Sequence, residues 1–246
     1  MNRTVAVVAR RVYVSFSPTR AVEALAIHGG RVLYAGGRDK AVRIVKELGG
    51  EVLEYPESTV IPGLIDAHTH IDSLGLSLNS LDLRGVSSIE ELKSVLRDWS
   101  GKTTGWVFGR GWDQERFKEG RYPTRWDVDE ALPDRPAILV RVCGHMALLN
   151  TAASRLLRIE ELAGERAIRD ERGEFTGLVV EEGVEVATRK FWEGVDDRAL
   201  VKYLTDAVDH AVQYGITTLG FMGTSLRVLG ALARCSAEGL LRARVR

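Results

Sequence analysis

The first sixty residues are rich in short apolar runs that predict β-strands. The runs cover residues 5–8, 12–16, 24–27, 32–35 and 51–55. Gly29 and Gly30 separate two of them, which is typical of a β-hairpin turn. Residues 39–48 have the spacing of a short amphipathic helix, and Pro56 and Pro62 bracket a predicted linker.

After residue 60 the pattern changes to alternating strands and helices, which is typical of an α/β protein. Predicted strands cover residues 64–70, 105–112, 137–143 and 216–221. Predicted helices cover residues 88–99, 150–157, 178–192, 196–214 and 226–237. Ser88, Asn150 and Gly215 provide the cap and stop signals that such helices need.

Composition narrows the class of protein. The 246 residues are 45% hydrophobic and 28% charged, with a formal net charge of zero. We therefore expect no binding to nucleic acid or to an anionic membrane, since both require an excess of positive charge. Two cysteines, Cys143 and Cys235, are too few for a disulfide framework, so we expect a cytoplasmic protein. We also expect Cys143 to be a small buried residue.

The strongest chemical signal is the stretch Ile-Pro-Gly-Leu-Ile-Asp-Ala-His-Thr-His at residues 61–70. On a strand, residues two apart point to the same side, so His68 and His70 would direct two imidazoles at one point. Asp66 shares that face and could orient one of these histidines. The alternative is a strand end at which two histidines are merely exposed.

Several stretches resemble the amidohydrolase superfamily, and within it the YtcJ-like branch, amidohydrolase family 3. The 61–70 stretch carries the superfamily resemblance. The branch resemblance rests on Arg-Gly-Trp-Asp at 110–113, Tyr-Pro-Thr-Arg-Trp-Asp at 122–127, Leu-Pro-Asp-Arg-Pro at 132–136, Cys-Gly-His-Met-Ala-Leu-Leu-Asn at 143–150, Gly-Glu-Phe-Thr-Gly at 173–177 and Tyr-Gly-Ile-Thr-Thr at 214–218.

The resemblance implies an α/β fold containing part of a (β/α)₈ barrel. Residues 1–60 would be a β-sandwich portion, residues 61–80 and 196–246 an incomplete barrel, and residues 81–195 an inserted α/β subdomain. It also implies hydrolysis of an amide or other C–N bond of a small molecule by a divalent metal ion, with zinc as the expected metal and His68 and His70 as ligands.

Further site residues follow from the same resemblance. His145, Trp112 and Asp113 would contact the substrate, and Glu181 is a weaker candidate for a metal or substrate contact. Three of the four have a structural alternative: His145 as a hydrogen-bonded core residue, Trp112 as a packing residue and Glu181 as a residue on a helix surface. No residue is identified as the catalytic base.

The sequence lacks the later ligands that a complete site of this type needs. The only histidine after His145 is His210, which lies within a predicted helix. We therefore expect only the N-terminal part of such an enzyme: a truncated product, an isolated domain, or one half of a split enzyme whose C-terminal half is a separate chain. The alternatives are a catalytically inactive fragment or interaction subunit that self-associates, and an unrelated doubly wound α/β binding domain.

Overall fold

The computed structural model describes residues 3–223 and 225–246, and it is a mixed α/β fold with three sheets. The chain divides into two compact units. The first contains Met1–Asp66 and Gly215–Thr218, and the second contains Ala67–Tyr214 and Leu219–Arg246. Among the described residues, no helix has both the length and the apolar character needed to cross a bilayer.

The first unit is built on a four-stranded sheet of order β3-β2-β1-β4. Its elements are β1 (Thr4–Phe16), β2 (Thr19–His28), β3 (Arg31–Gly36), α1 (Arg38–Glu47) and β4 (Glu51–Val60). The predicted hairpin is confirmed, because β2 and β3 are antiparallel and His28 faces Arg31 across Gly29-Gly30. Ala6, Ala24, Ala26, Ala41 and Val45 form its core.

The linker predicted between Pro56 and Pro62 is wrong over most of its length, because β4 continues through Pro56 to Val60. The ladder between β4 and β1 is irregular at this point, passing from Tyr55 opposite Ala9 to Thr59 opposite Arg11. Proline has no N–H to donate, so it is tolerated where a ladder is interrupted. The β-sandwich assignment for residues 1–60 stays a prediction, and its first two residues lie outside the described part.

The second unit contains most of the helices. Its elements, with two strands that begin in the first unit, are β5 (Leu64–Thr69), α2 (Ile71–Leu78), β6 (Leu81–Asp82), α3 (Ile89–Lys102), β7 (Val107–Trp112), α4 (Arg125–Asp129), β8 (Ala137–Arg141), β9 (Met146–Leu149), α5 (Thr151–Leu157), α6 (Ile159–Ala163), β10 (Ala167–Arg169), β11 (Phe175–Val180), α7 (Glu182–Gly194), α8 (Asp197–Gln213), β12 (Ile216–Phe221), α9 (Leu226–Ala237) and β13 (Arg244–Val245).

A three-stranded sheet has the order β13-β12-β5. Arg246 N donates to Leu219 O and Phe221 N donates to Arg246 O, a pattern in which β12 and β13 are parallel. Helix α9 connects these two strands, as expected for a β-α-β unit. Whether this sheet is part of a (β/α)₈ barrel stays a prediction.

A six-stranded sheet has the order β10-β11-β9-β8-β7-β6. The pairs β6–β7 and β7–β8 are parallel, whereas the pairs β8–β9, β9–β11 and β11–β10 are antiparallel. A large apolar core packs on this sheet and includes Leu83, Leu92, Leu96, Val107, Trp112, Leu139 and Leu148. The assignment of residues 81–195 to an inserted subdomain, and of the flanking segments to a barrel, likewise stays a prediction.

The helix predicted over residues 178–192 is wrong at its beginning. Residues up to Val180 belong to β11, which is buried along almost its whole length, and α7 begins at Glu182. A short, continuously apolar run fits a buried strand and a buried helix equally well, so periodicity could not separate them. Strand β9 and helix α2 were not predicted.

Asn150 forms hydrogen bonds with four backbone groups inside the second unit and is fully buried. Its Oδ1 accepts hydrogen bonds from Ala137 N (2.9 Å) and Ala153 N (3.0 Å). Its Nδ2 donates to Leu132 O (2.9 Å) and Arg135 O (2.8 Å). The predicted cap of α5 is therefore confirmed, and the same side chain also ties the beginning of β8 to the preceding loop.

We expect Asn150→Ala to lower the free energy of unfolding by about 3 kcal/mol or more, because it leaves several buried backbone groups without partners. Asn150→Asp keeps the acceptor but places an oxygen against two carbonyls, so we expect a similar loss. Urea unfolding monitored by circular dichroism measures both.

Asn79→Ala is the matched control, because Asn79 is only half-buried and donates to Gly75 O and Asp206. A loss at Asn150 no larger than that at Asn79 would contradict the assignment of Asn150 as the central connection.

Candidate functional site

The carboxyl end of β5 is held firmly against β12. Thr69 Oγ1 donates to Gly220 O (3.0 Å), and Met222 N donates to Thr69 O (3.0 Å). Gly220 is required for this close approach, because a Cβ added there would lie 2.5 Å from Ala67 O. The backbone that carries the two histidines is therefore positioned by the sheet.

His68 and His70 lie side by side at this strand end. Their ring centroids are 5.4 Å apart, the rings are inclined by 72°, and both side chains are exposed. His70 is also the residue that precedes the first turn of α2. Asp66 is half-buried on the same strand. The structure thus brings the two imidazoles together, and their role as metal ligands, like the orienting role of Asp66, stays a prediction.

The donor set fits part of a metal centre. Among residues 3–223 and 225–246, no group of three or more His, Cys, Asp or Glu side chains is arranged to hold a metal ion. Catalytic zinc ions are held by three protein ligands plus a position for water or substrate. The histidine pair supplies two such ligands, so it fits the first half of a centre and does not complete one.

His145 and Glu181 form a second candidate cluster. His145 Nδ1 lies 3.1 Å from Glu181 Oε2, and Glu181 N donates to His145 O (2.9 Å). The structure does not place His145 in the core, because its side chain is 72% exposed. Since Nδ1 faces the carboxylate, Nε2 is the ring atom that can contact a ligand.

Glu181 has a strained backbone. It lies between β11 and α7 with φ 48° and ψ −120°, a region that residues other than glycine rarely adopt. Such a conformation costs about 1–3 kcal/mol and is most often found at functional sites. His145 and Glu181 also line an open cavity of about 430 Å³, together with Gly144, Glu185 and Arg189.

Trp112 and Asp113 are predicted to contact substrate, but both side chains form hydrogen bonds within the protein. Trp112 is fully buried, and its Nε1 donates to Leu139 O (2.7 Å). Asp113 accepts from Arg141 Nη2 (2.9 Å). The packing interpretation of Trp112 agrees with this burial, and no surface of its ring is available to a ligand in this conformation.

Cys143 was expected to be buried, and this is wrong because the residue is exposed in the turn after β8. Partial burial raises the pKa of its thiol, but the Arg141 guanidinium and the His145 N–H stabilise the thiolate more, so the pKa is lowered overall. The turn reverses direction between two antiparallel strands, and short turns of this kind leave their side chains at the surface.

Comparison with known families identifies the chain. The model of the amidohydrolase family named Amidohydro_3 matches residues 57–246, which is most of the sequence. This chain belongs to the amidohydrolase family. The match includes the 61–70 stretch and the motifs at 110–113 and 143–150.

Curated relatives agree with this assignment. The chain is 32% identical over 86% of its length to the protein LONG AFTER FAR-RED 3 of Arabidopsis thaliana. It is 27% identical over 88% of its length to an N-substituted formamide deformylase of Arthrobacter pascens. It is 24% identical over 79% of its length to YtcJ of Bacillus subtilis, which is named as an amidohydrolase, so the YtcJ-like assignment is confirmed.

Two solved structures are similar over nearly the whole of this chain. They are uncharacterised metal-dependent hydrolases from Pyrococcus furiosus and Pyrococcus horikoshii, with 35% and 32% identity and a TM-score of 0.85 each. Each alignment covers 98% of this chain but only 49% and 47% of the solved chains. The three curated relatives are covered over 37%, 42% and 38% of their lengths. Family and neighbours together suggest a divalent metal.

The strained backbone at Glu181 gives a test in which glycine and alanine are compared. Glu181→Gly and Glu181→Ala both remove the carboxylate, but only glycine relieves the positive φ. We therefore expect the glycine variant to be more stable than the alanine variant by about 1 kcal/mol in urea unfolding.

The control pair is Glu185→Gly and Glu185→Ala, because Glu185 is an exposed residue inside α7. There we expect the opposite sign, since glycine is less favourable than alanine inside a helix by about 1 kcal/mol. If the alanine variant were the more stable one at both positions, Glu181 would be unstrained.

Proposed function

We propose that this amidohydrolase takes part in metal-dependent hydrolysis of an amide or other C–N bond of a small molecule. The observation that carries the proposal is the pair of imidazoles at the carboxyl end of β5, in a chain whose family match covers residues 57–246. The relative named as an N-substituted formamide deformylase supports a C–N substrate, and the solved neighbours described as metal-dependent hydrolases support a metal.

In this proposal His68 and His70 hold the metal, for which zinc is the candidate. The remaining metal ligands come from outside residues 3–223 and 225–246. A bound metal of this type polarises a substrate carbonyl and acidifies a coordinated water. A cytoplasmic location and a small-molecule substrate are part of the same proposal.

The His145–Glu181 pair is the candidate for binding a polar group of the substrate. The carboxylate engages Nδ1 and so orients the ring, which leaves Nε2 to donate to or accept from the ligand. The strain at Glu181 supports this assignment, because it holds the carboxylate next to the ring at a cost to stability. Trp112 is omitted from the proposed contacts because of its burial.

The test combines zinc binding with turnover. The protein, purified together with any polypeptide that co-elutes with it, is loaded with zinc and given an N-substituted formamide. We expect formate release, and we expect zinc affinity to fall by more than about tenfold in His68→Ala and His70→Ala because each removes a proposed ligand. Equilibrium dialysis and a formate assay measure the two quantities.

His210→Ala is the matched control, because His210 lies on α8 and its ring packs on Tyr214. We expect it to change neither quantity. Equal losses in all three variants would contradict the metal role of the pair. Zinc binding without formate release from formamides, and without amine release from other amides, would contradict the hydrolase function.

A second candidate function is that of an interaction subunit without turnover, which self-associates. The observation that favours it is the apolar surface around α9. Leu226 is 88% exposed, and Met222, Leu229 and Leu240 are also exposed. Leu226 and Leu229 are three residues apart on α9 and so share a helix face, and exposed apolar faces commonly mark an interface.

If the chain is such a self-associating subunit, the double variant Leu226→Lys and Leu229→Lys should convert oligomers to monomers. Each lysine would otherwise bury a charge at the interface. Sedimentation velocity measures the molecular mass. Leu156→Lys is the control, since Leu156 is an exposed leucine on α5. A monomeric wild-type protein would rule out self-association.

A further inference from the structure

Three adjacent parallel strands end at one edge of the six-stranded sheet. Strand β6 pairs with β7 through Asp82 opposite Arg110, and β7 pairs with β8 through Arg110 opposite Val140. The carboxyl ends of parallel strands are the usual location of ligand crevices in α/β sheets.

Each of the three strands contributes an arginine at this edge. Arg84 follows β6, Arg110 lies near the end of β7, and Arg141 is the last residue of β8. All three line one cavity of about 280 Å³, together with Ser77 at the end of α2. A planar guanidinium is the side chain best suited to carboxylate and phosphate groups, because its N–H donors match two oxygens at once.

Two of the three arginines have a carboxylate partner. Arg84 Nε and Nη2 donate to Asp82 (2.9 Å and 2.7 Å), and these hydrogen bonds lower the pKa of Asp82 to about 2. Arg141 donates to Asp113 Oδ1 (2.9 Å). Asp82 is thus charged at neutral pH, and the positive charges of Arg84 and Arg141 are largely compensated.

Arg110 differs from both. It is exposed, and its side chain forms no hydrogen bond or ion pair with any residue that the structure describes. The cavity therefore has one uncompensated positive charge, located between two further guanidinium groups. An arginine in this position favours an external anion.

The backbone of β7 is shaped to make this arrangement possible. Gly111 has φ 102°, and the register with β8 shifts between Arg110 and Trp112, as in a β-bulge. A Cβ at Gly111 would lie 2.5 Å from Arg84 Cγ. Glycine therefore makes room for the Arg84 side chain, while the buried Trp112 anchors the strand immediately after the bulge.

We propose that this cavity binds an oxyanion, a carboxylate or phosphate group of a small molecule, through Arg110 with Arg84 and Arg141 on either side. The single uncompensated charge matches one such group. This binding is independent of the histidine pair and of the proposed hydrolysis.

Isothermal titration with inorganic phosphate and with acetate, at constant ionic strength, tests the proposal and distinguishes the two sources of the oxyanion. We expect saturable binding of at least one of them. Arg110→Gln should weaken that binding by about tenfold or more, since a hydrogen bond to a charged group contributes about 1.5–3 kcal/mol. Asp82→Asn should strengthen it severalfold, because it removes a competing negative charge.

Arg97→Gln is the matched control, because Arg97 is an exposed arginine on α3 and its loss changes the net charge equally. We expect no effect from it. Absence of binding by both anions, equal weakening in the Arg97 and Arg110 variants, or weaker binding in the Asp82 variant would each overturn the proposal.

Discussion

The buried amide of Asn150 is the contact on which the second unit depends. It uses both lone-pair positions of Oδ1 and both hydrogens of Nδ2 within the protein, so it has no remaining hydrogen-bonding capacity for water. A fully satisfied polar group in an apolar core permits one arrangement of its partners and penalises others. The beginning of β8, the end of β9 and the first turn of α5 are therefore fixed relative to one another.

This constraint extends to the surface through the two strands it joins. Strand β8 runs from Ala137 at the buried amide to Arg141 at the sheet edge, and β9 returns from Met146 next to His145. Arg141 and His145 are thus carried by strands whose other ends are held in the core. Sites on rigid elements keep their geometry better than sites on free loops.

Candidate ligand-binding side chains occur at two separate sets of strand ends. At the end of β5, the backbone presents two imidazoles, which suit a cation once they are neutral. At the ends of β6, β7 and β8, the backbone presents three guanidinium groups, which suit an anion. The same rule of parallel sheets produces both, and the side chains decide which ligand each edge can take.

Glu181, the strained residue between β11 and α7, is a third feature on which the candidate site depends. A glutamate with a positive φ is retained next to a histidine that it contacts through both backbone and side chain. Glycine would adopt this conformation without strain, so the carboxylate itself is the feature that the strain preserves.

The sequence by itself determined the local elements and the family. Strand β12, helix α9, the capped helices α5 and α8 and the Gly29-Gly30 hairpin were all predictable, because periodicity and caps depend on residues within about four positions of each other. The 61–70 stretch identified the amidohydrolase family. It also placed His68 and His70 on one strand end, where the two rings are found side by side.

Only the tertiary structure decided which side chains are available to a ligand. Asp113 meets Arg141 28 residues away, and Trp112 meets Leu139 27 residues away, so both predicted contacts are engaged internally. Arg110, in the same four-residue motif, was not predicted as a site residue and is the one that faces a cavity without a partner among the described residues. Strand register and the bulge at Gly111 set these outcomes, and both depend on pairing with distant segments that local sequence patterns do not encode.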